Sequence, residues 1–301
     1  MKEASRRRWL SRSHINQING MLFVAPWAIG FLAFGAYPIL MSAYYSLTYY
    51  DGLRAPRFLG LGNYQELLLA DRVMKQVSAN TIWWVLLAVP AGIVSAFLLA
   101  NLLNSRFRGR SIFRALFFVP SIVPTMVSAQ IWRLVLNTNF GVINTTLVSL
   151  GWRVIPFLSK PSLAKPTLLA INCWAQGSAM VIFLAALQDV PKSLYEAATV
   201  DGASAWDRFW RITVPLCTPS AFFMLITGMI GGFQSFTFPW LLTGGGPNNA
   251  TEFFSMYLYR NAFEYMKMGY ASALAWILCI VVVLSSIVMF RTSDRWVFYG
   301  A

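Results

Sequence analysis

Charge is what this chain has least of. Asp, Glu, Lys and Arg make up 12% of its 301 residues, where a soluble domain carries about 25%. That shortage places the chain in the membrane class before any pattern is read. Acidic residues are the scarcer kind, 11 against 24 Lys and Arg, for a formal charge of +13. There is one histidine, His14, so no His-based metal site can be assembled. Cys173, Cys217 and Cys279 fall in or at the edge of apolar runs with no cysteine nearby in sequence. They read as buried small hydrophobes, not as a disulfide frame or metal ligands. No Gly-x-x-x-x-Gly-Lys-Ser/Thr loop occurs, so the chain does not itself cradle ATP in the P-loop manner. Its basic residues lie in short loops and form no continuous face that could track phosphates, which excludes nucleic acid as a partner. The first apolar run is too long for the h-region of a signal peptide and reads as a retained span.

What is present is apolar sequence, 57% of the chain. Six runs are long enough to cross about 30 Å of hydrocarbon, which takes about 20 helical residues. They cover residues 21–47, 81–103, 112–136, 167–187, 213–242 and 270–290. Helix is the expected state, since a lone strand would leave its backbone unpaired in lipid. The fold class is therefore all-α, a polytopic membrane protein with six transmembrane helices. Residues 1–20 read as a polar tail, residues 21–301 as one transmembrane domain in contact with lipid, and 190–215 as a polar loop within it. Pro26, Pro38, Pro90, Pro120, Pro124 and Pro239 lie in or near the spans, where neighbouring helices can re-satisfy the freed carbonyls. Fourteen of the 24 basic residues belong to one side: the N-terminal tail, the second-to-third and fourth-to-fifth connections, and the C-terminal tail. That bias puts both termini and the 190–215 loop in the cytoplasm.

The spans also lack ionisable groups. No Asp or Glu lies mid-span, and Arg133 sits near the outer end of the third. Ion-coupled carriers place carboxylates at membrane depth, and an intramembrane enzyme needs a nucleophile with its base or a metal with its ligands. Neither a carrier of that kind nor a membrane enzyme fits, so energy for directed transport must enter from elsewhere.

The 190–215 loop is the entrance the sequence offers. Lys192 to Val200 predicts a short helix, with Pro191 ahead of it and Glu196, Ala197 and Ala198 as good helix formers. Asp201-Gly202 breaks it. Ser204 predicts a cap for a second helix, with Asp207 completing an acidic capping box; that helix runs toward Arg211, and Pro215 marks its junction with the fifth span. The expected shape is a helix-turn-helix knob. Glu196, Ala197, Ala198, Asp201, Gly202, Ala203, Ile212 and Pro215 fall where the coupling loop of binding-protein-dependent ABC import permeases has its pattern, with Val214 standing where leucine is usual. The chain resembles the carbohydrate branch of that family (maltose, glycerol-phosphate and multiple-sugar permeases) over nearly its whole length. Ala36-Tyr37-Pro38-Ile39, Phe58-Leu59-Gly60-Leu61-Gly62-Asn63-Tyr64 and Thr243-Gly244-Gly245-Gly246-Pro247 follow in the family's order. The glycine run by itself reads as a flexible surface turn.

The resemblance implies a permease subunit with no catalytic residues and no cofactor of its own. It would pair with a second, homologous permease as a heterodimer and stand on two ATPase subunits that bind ATP and Mg. Its ligand, a sugar or oligosaccharide, would arrive on an extracytoplasmic binding protein, and the setting is a bacterial or archaeal inner membrane. A non-sugar solute such as a glycerol phosphodiester is the alternative within the class. A sugar pathway needs hydrogen-bonding side chains and aromatic faces in a mostly apolar cavity. Asn172, Trp174 and Gln176 in the fourth span, and Gly228, Gly232, Gln234 and Ser235 in the fifth, are the candidates. Gly228, Gly232 and Ser235 match the family's sugar-facing positions. The plain reading of the two glycines is close helix approach. Arg133 is either structural or the counter-charge for an anionic group.

Overall fold

A computed structural model describes residues 12–105 and 107–298. Of the basic residues used to orient the chain, Lys2, Arg6, Arg7, Arg8 and Arg106 lie outside that range. Four helices are long and apolar enough to cross a membrane singly: Asn19–Ser46, Arg72–Asn104, Ala205–Phe233 and Met268–Ser293. Two bent pairs, Arg110–Ile122 with Thr125–Val135 and Pro161–Trp174 with Gly177–Asp189, bring the number to six if each pair is one span. A two-residue antiparallel hairpin, Thr48–Tyr49 on Arg57–Phe58, follows the first span. The first helix already begins at Arg12, inside the stretch expected to be tail.

The third span is not the straight helix expected over 112–136. Its halves meet at 101°. With 13 and 11 residues, they are about 20 and 16 Å long, so neither crosses about 30 Å alone. Pro124 is the cause. It offers no N–H, and it forces Val123 out of the helical region, to φ −66° and ψ 128°, as a residue before proline is. The fourth span bends by 45° at Ala175-Gln176 with no proline to explain it. The reason lies at Gly177, where a Cβ would come within 2.5 Å of the Phe117 carbonyl oxygen and 2.9 Å of Phe118 Cα. The third span crosses the fourth backbone to backbone there.

Pro215 does not break the fifth span. A π turn at Phe209–Thr213 joins the capped residues Ala205–Arg208 to Val214–Phe233 as one helix. The expected second helix of the knob is thus the N-terminal end of the fifth span. The same device occurs twice more: π turns at Leu32–Ala36 and Trp84–Ala88 precede Pro38 and Pro90 by two residues. In each, the residue before the proline donates five residues back, Tyr37 to Leu32, Val89 to Trp84 and Val214 to Phe209. The widened turn shifts the ladder at the point where the proline has no proton to give, so the ring enters without cutting the helix. The fifth span ends instead at Gln234, well short of residue 242, and Thr237–Thr243 is a separate short helix.

Two clusters form the centre. Towards the 190–215 loop Ala96, Ala100 and Leu103 of the second span meet Ala179, Met180, Phe183 and Leu187 of the fourth, with Cys217 of the fifth. Alanines let these helices approach closely, which matters because packing rather than water exclusion holds helices together in lipid. At the opposite end Trp84 and Ala88 pack with Leu168, Ile171, Leu242, Phe253 and Met256. The most apolar stretch of the first span buries none of its residues in the fold, and Phe23 and Phe34 are each 87% exposed. Such a surface requires hydrocarbon or a partner helix against it.

Candidate translocation cavity and coupling loop

The bends leave a cavity of about 610 Å³ between the second, third, fourth and fifth spans. The fourth span contributes Asn172, in the last turn of its first half, and Gln176, at the bend, to the wall. Asn172 donates to the Ala88 carbonyl at 2.8 Å, and Gln176 Nε2 donates to the carbonyl and side-chain oxygens of Asn172 at 2.9 and 3.2 Å. Both amides rest on Gly92 of the second span, where a Cβ would meet Gln176 Nε2 at 2.7 Å and Asn172 Nδ2 at 2.9 Å. A side chain at 92 would therefore displace them. Gly228, Gly232 and Ser235 also line the cavity. The two glycines serve packing too, since Cβ atoms there would press on Val89 at 2.8 and 3.0 Å, whereas Gly231, also in the wall, faces open space.

Trp174 and Gln234 do not join them. Trp174 is two residues from both Asn172 and Gln176, so about 200° round the helix. It is half exposed and stacks edge-on against Trp132 with centroids 5.2 Å apart. Gln234 sits exposed at the end of the fifth helix, one residue from Ser235 and outside the wall. The sequence reading missed Ser121, Thr125 and Ser128 of the third span and Thr227 of the fifth, all in the wall. Ser121 lies before the Pro124 break and Thr125 and Ser128 after it, so helical spacing could not group the three. Among the described residues, no Asp, Glu, Lys, Arg or His lines the cavity. Its chemistry is that of neutral hydrogen-bond donors and acceptors against apolar faces.

At the loop, Lys192–Val200 is the short helix the residues predict. It closes in a Schellman motif: Gly202 N–H donates to Thr199 O at 3.1 Å and Ala203 N–H to Ala198 O at 2.9 Å. Gly202 takes φ +76°, a left-handed conformation that glycine adopts without penalty. Ser204 then caps the fifth span, its hydroxyl accepting from Asp207 N–H while Asp207 accepts from Ser204 N–H. Tyr195 and Thr213 share a 2.9 Å hydrogen bond, and Arg208 donates to Thr199 at 2.6 Å. These bonds tie the short helix to the first turns of the span. Glu196, Ala197, Asp201 and Gly202 are exposed; Ala198, Ala203, Ile212 and Pro215 are half-buried between the two helices. Sequence reasoning passed over the apolar groups left uncovered beside them: Val200 at 89% exposed, Trp206 at 69%, Trp210 and Leu194. The Asp207–Arg211 pair at 3.9 Å is exposed and contributes little.

The segment after the fifth span is held rather than loose. Thr243 and Thr251 share a 2.6 Å hydrogen bond, and Thr251 also donates to the Gly246 carbonyl. Asn80 of the second span donates to the carbonyls of Asn249 and Glu252, and itself accepts from Lys165 of the fourth. Glu252 is buried beside Arg260 at 3.2 Å. Burial pushes its carboxyl up, opposed by that guanidinium. Gly244 and Gly245 take φ +60° and +89°, which explains the glycines better than a need for mobility does.

With this geometry in view, likeness to known proteins is specific. Residues 88–298 match the family described as binding-protein-dependent transport system inner membrane component. The chain is 39% identical over 288 residues to the probable ABC transporter permease protein YesP of Bacillus subtilis, covering 94% of this chain and 93% of that one. It is 33% identical over 290 residues to the lactose transport system permease protein LacF of Rhizobium radiobacter, covering 93% and 96%. In fold it matches a chain of a bacterial alginate ABC transporter in complex with an alginate pentasaccharide-bound periplasmic protein, with a TM-score of 0.83, 22% identity, and coverage of 98% of this chain and 100% of that one. The cavity between broken helices, the knob at the start of the fifth span and these matches agree: the chain belongs to the binding-protein-dependent transport system inner membrane components, the permease subunits of ABC importers, and is a multi-pass membrane protein of transport rather than an enzyme.

Proposed function

We propose that this permease passes a sugar or oligosaccharide, delivered by an extracytoplasmic binding protein, through the cavity beside Asn172, Gln176 and Ser235. It would do so as one half of a pair with a second homologous permease, over two ATPase subunits that hold ATP and Mg. Both termini and the Lys192–Val200 knob face the cytoplasm in this reading, as the basic loops require. Glu196, Asp201 and the exposed apolar groups Val200, Trp206 and Trp210 are the surface for an ATPase subunit.

One observation carries the proposal. A single helix starts at the capped turn beside the knob and ends at Gln234, next to Ser235 in the cavity wall. Displacement of the knob therefore reaches the cavity directly. The wall supports a sugar because its amides and hydroxyls are uncharged, with Trp84 and Phe238 as apolar faces. Relatives named for lactose and for multiple sugars lend further support. A relative is named for sn-glycerol-3-phosphate, a phosphate monoester; this cavity wall has no group that would hold such a charge midway.

The test is uptake by proteoliposomes containing the permease pair, both ATPases and the binding protein. Sugar accumulation that needs ATP and is lost without the ATPases supports the proposal. Uphill accumulation by this chain alone refutes it.

A further inference from the structure

Beyond the uncharged cavity lies a smaller one of about 310 Å³, lined by Arg133, Asn137, Thr138, Asn139, Ser159 and Thr243 with a few leucines. It is at the small end of ligand sites, roughly 300 to 1,000 Å³, and differs in chemistry from its neighbour. Arg133 forms no ion pair among the described residues. Asn137 spends its side-chain oxygen on the N–H groups of Asn139 and Phe140, which leaves its amide N–H₂ for a ligand. The side chains of Thr138, Asn139 and Ser159 have no hydrogen-bond partner among the described residues. One exposed guanidinium beside amides and hydroxyls, without a carboxylate among the described residues paired to it, is a donor set suited to an oxyanion on a polyol.

The two cavities draw different residues from the same pair of helices. Thr125 and Ser128 line the larger one and Arg133, five residues past Ser128, lines the smaller, about 7.5 Å further along the same helix. Phe238 and Pro239 line the larger and Leu242 and Thr243 the smaller, on the short helix packed beside it. Leu136 and Leu242, each 4% exposed, pack with Leu168 and Phe238 between the two cavities.

We propose that the Arg133 pocket is an entry subsite for the carboxylate of an acidic sugar, met before the sugar body enters the uncharged cavity. The charge is recognised at the mouth and is not held midway, so the ligand is admitted selectively yet is free to move on. The inference rests on the sugar-permease reading above, but its test needs neither ATP nor uptake, so the two fail separately.

The probe is digalacturonate, compared with its dimethyl ester, which has the same shape without the charge. Binding of each is measured on the complete importer in nanodiscs, without binding protein. The wild type is expected to prefer the acid about tenfold, Arg133→Gln to lose that preference, and Arg133→Lys to keep part of it, since lysine retains the charge and loses the fork. Equal binding of acid and ester by the wild type overturns the proposal. So does an unchanged preference in Arg133→Gln, whatever its thermal midpoint, because the arginine is then only structural. Inorganic phosphate that displaces digalacturonate as well as free digalacturonate does would also overturn it, since the pocket would then be a general anion site. If Arg133→Gln fails to assemble, Asn139→Ala with Arg133→Lys carries the same comparison: both must reduce the preference.

Discussion

Gly202 gives the sharpest test of the knob. Its φ of +76° ends the short helix and lets Ala203 N–H reach back to Ala198. A Cβ built at this position meets nothing within 4 Å, so a substitution meets no steric obstacle within the chain and its effect comes from the backbone. A left-handed conformation costs an ordinary L-residue about 1–2 kcal/mol, and more for a β-branched one. At that magnitude the ordered turn loses roughly 5- to 30-fold in population against alternatives. Asparagine tolerates the same conformation. Gly202→Val is thus expected to uncouple ATP hydrolysis from uptake in proteoliposomes, Gly202→Ala to do so less, and Gly202→Asn to stay near wild type. The readout is sugar transported per ATP hydrolysed. Wild-type coupling in Gly202→Val refutes the reasoning; equal losses in all three variants would mean that a partner surface, not the turn, needs the missing side chain.

Other outcomes follow from the same geometry. Gly177→Ala forces a Cβ toward the Phe117 carbonyl and is expected to destabilise the subunit by about 1–3 kcal/mol, read as a lower thermal midpoint in detergent. Ser235→Leu is expected to block uptake while the complex still assembles, whereas Gln234→Leu, outside the cavity wall, leaves uptake near wild type; similar behaviour of the two would count against the cavity as the pathway. Asp71 caps the second span at Met74 and accepts hydrogen bonds from Tyr257 and Tyr270, both at 2.5 Å. Burial raises its carboxyl, but these donors outweigh it and hold the group below its ordinary value of about 3.9. A depressed native value stabilises the fold above the ordinary value and is lost as pH falls through the native one. The share of thermal stability that Asp71 supplies is therefore expected to hold down to about pH 4 and to fade in stronger acid; Asp71→Asn should be less stable than the wild type at neutral pH, by a margin that narrows in acid.

Much of this architecture was legible because its causes are local. Apolar run length gave the spans, and the order Lys192-to-Val200, Asp201-Gly202, Ser204-x-x-Asp207 gave helix, turn and cap, since each rests on neighbours in sequence. The cavity was legible only by halves. Asn172 and Gln176 share a face by helical spacing, but Trp174 was grouped with them by proximity in sequence against that same spacing. Ser121, Thr125 and Ser128 enter the wall because Pro124 turns the third span by 101°, and a proline announces a break without its angle. The fourth-span bend depends on Gly177 lying under Phe117, a contact 60 residues apart in sequence. The continuity of the fifth span was hidden for the opposite reason: Pro215 looks like a stop unless a π turn precedes it.

That continuity has a mechanical consequence. From Ala205 to Phe233 the chain forms a strut of 29 residues, about 43 Å long, with one compliant joint at Phe209–Thr213. Tyr195, bonded to Thr213, clamps that joint from outside. Rotation imposed on the short helix would therefore be delivered at the distal tip almost undamped, and loosening the Tyr195–Thr213 clamp would lengthen the stroke needed for the same movement beside Ser235.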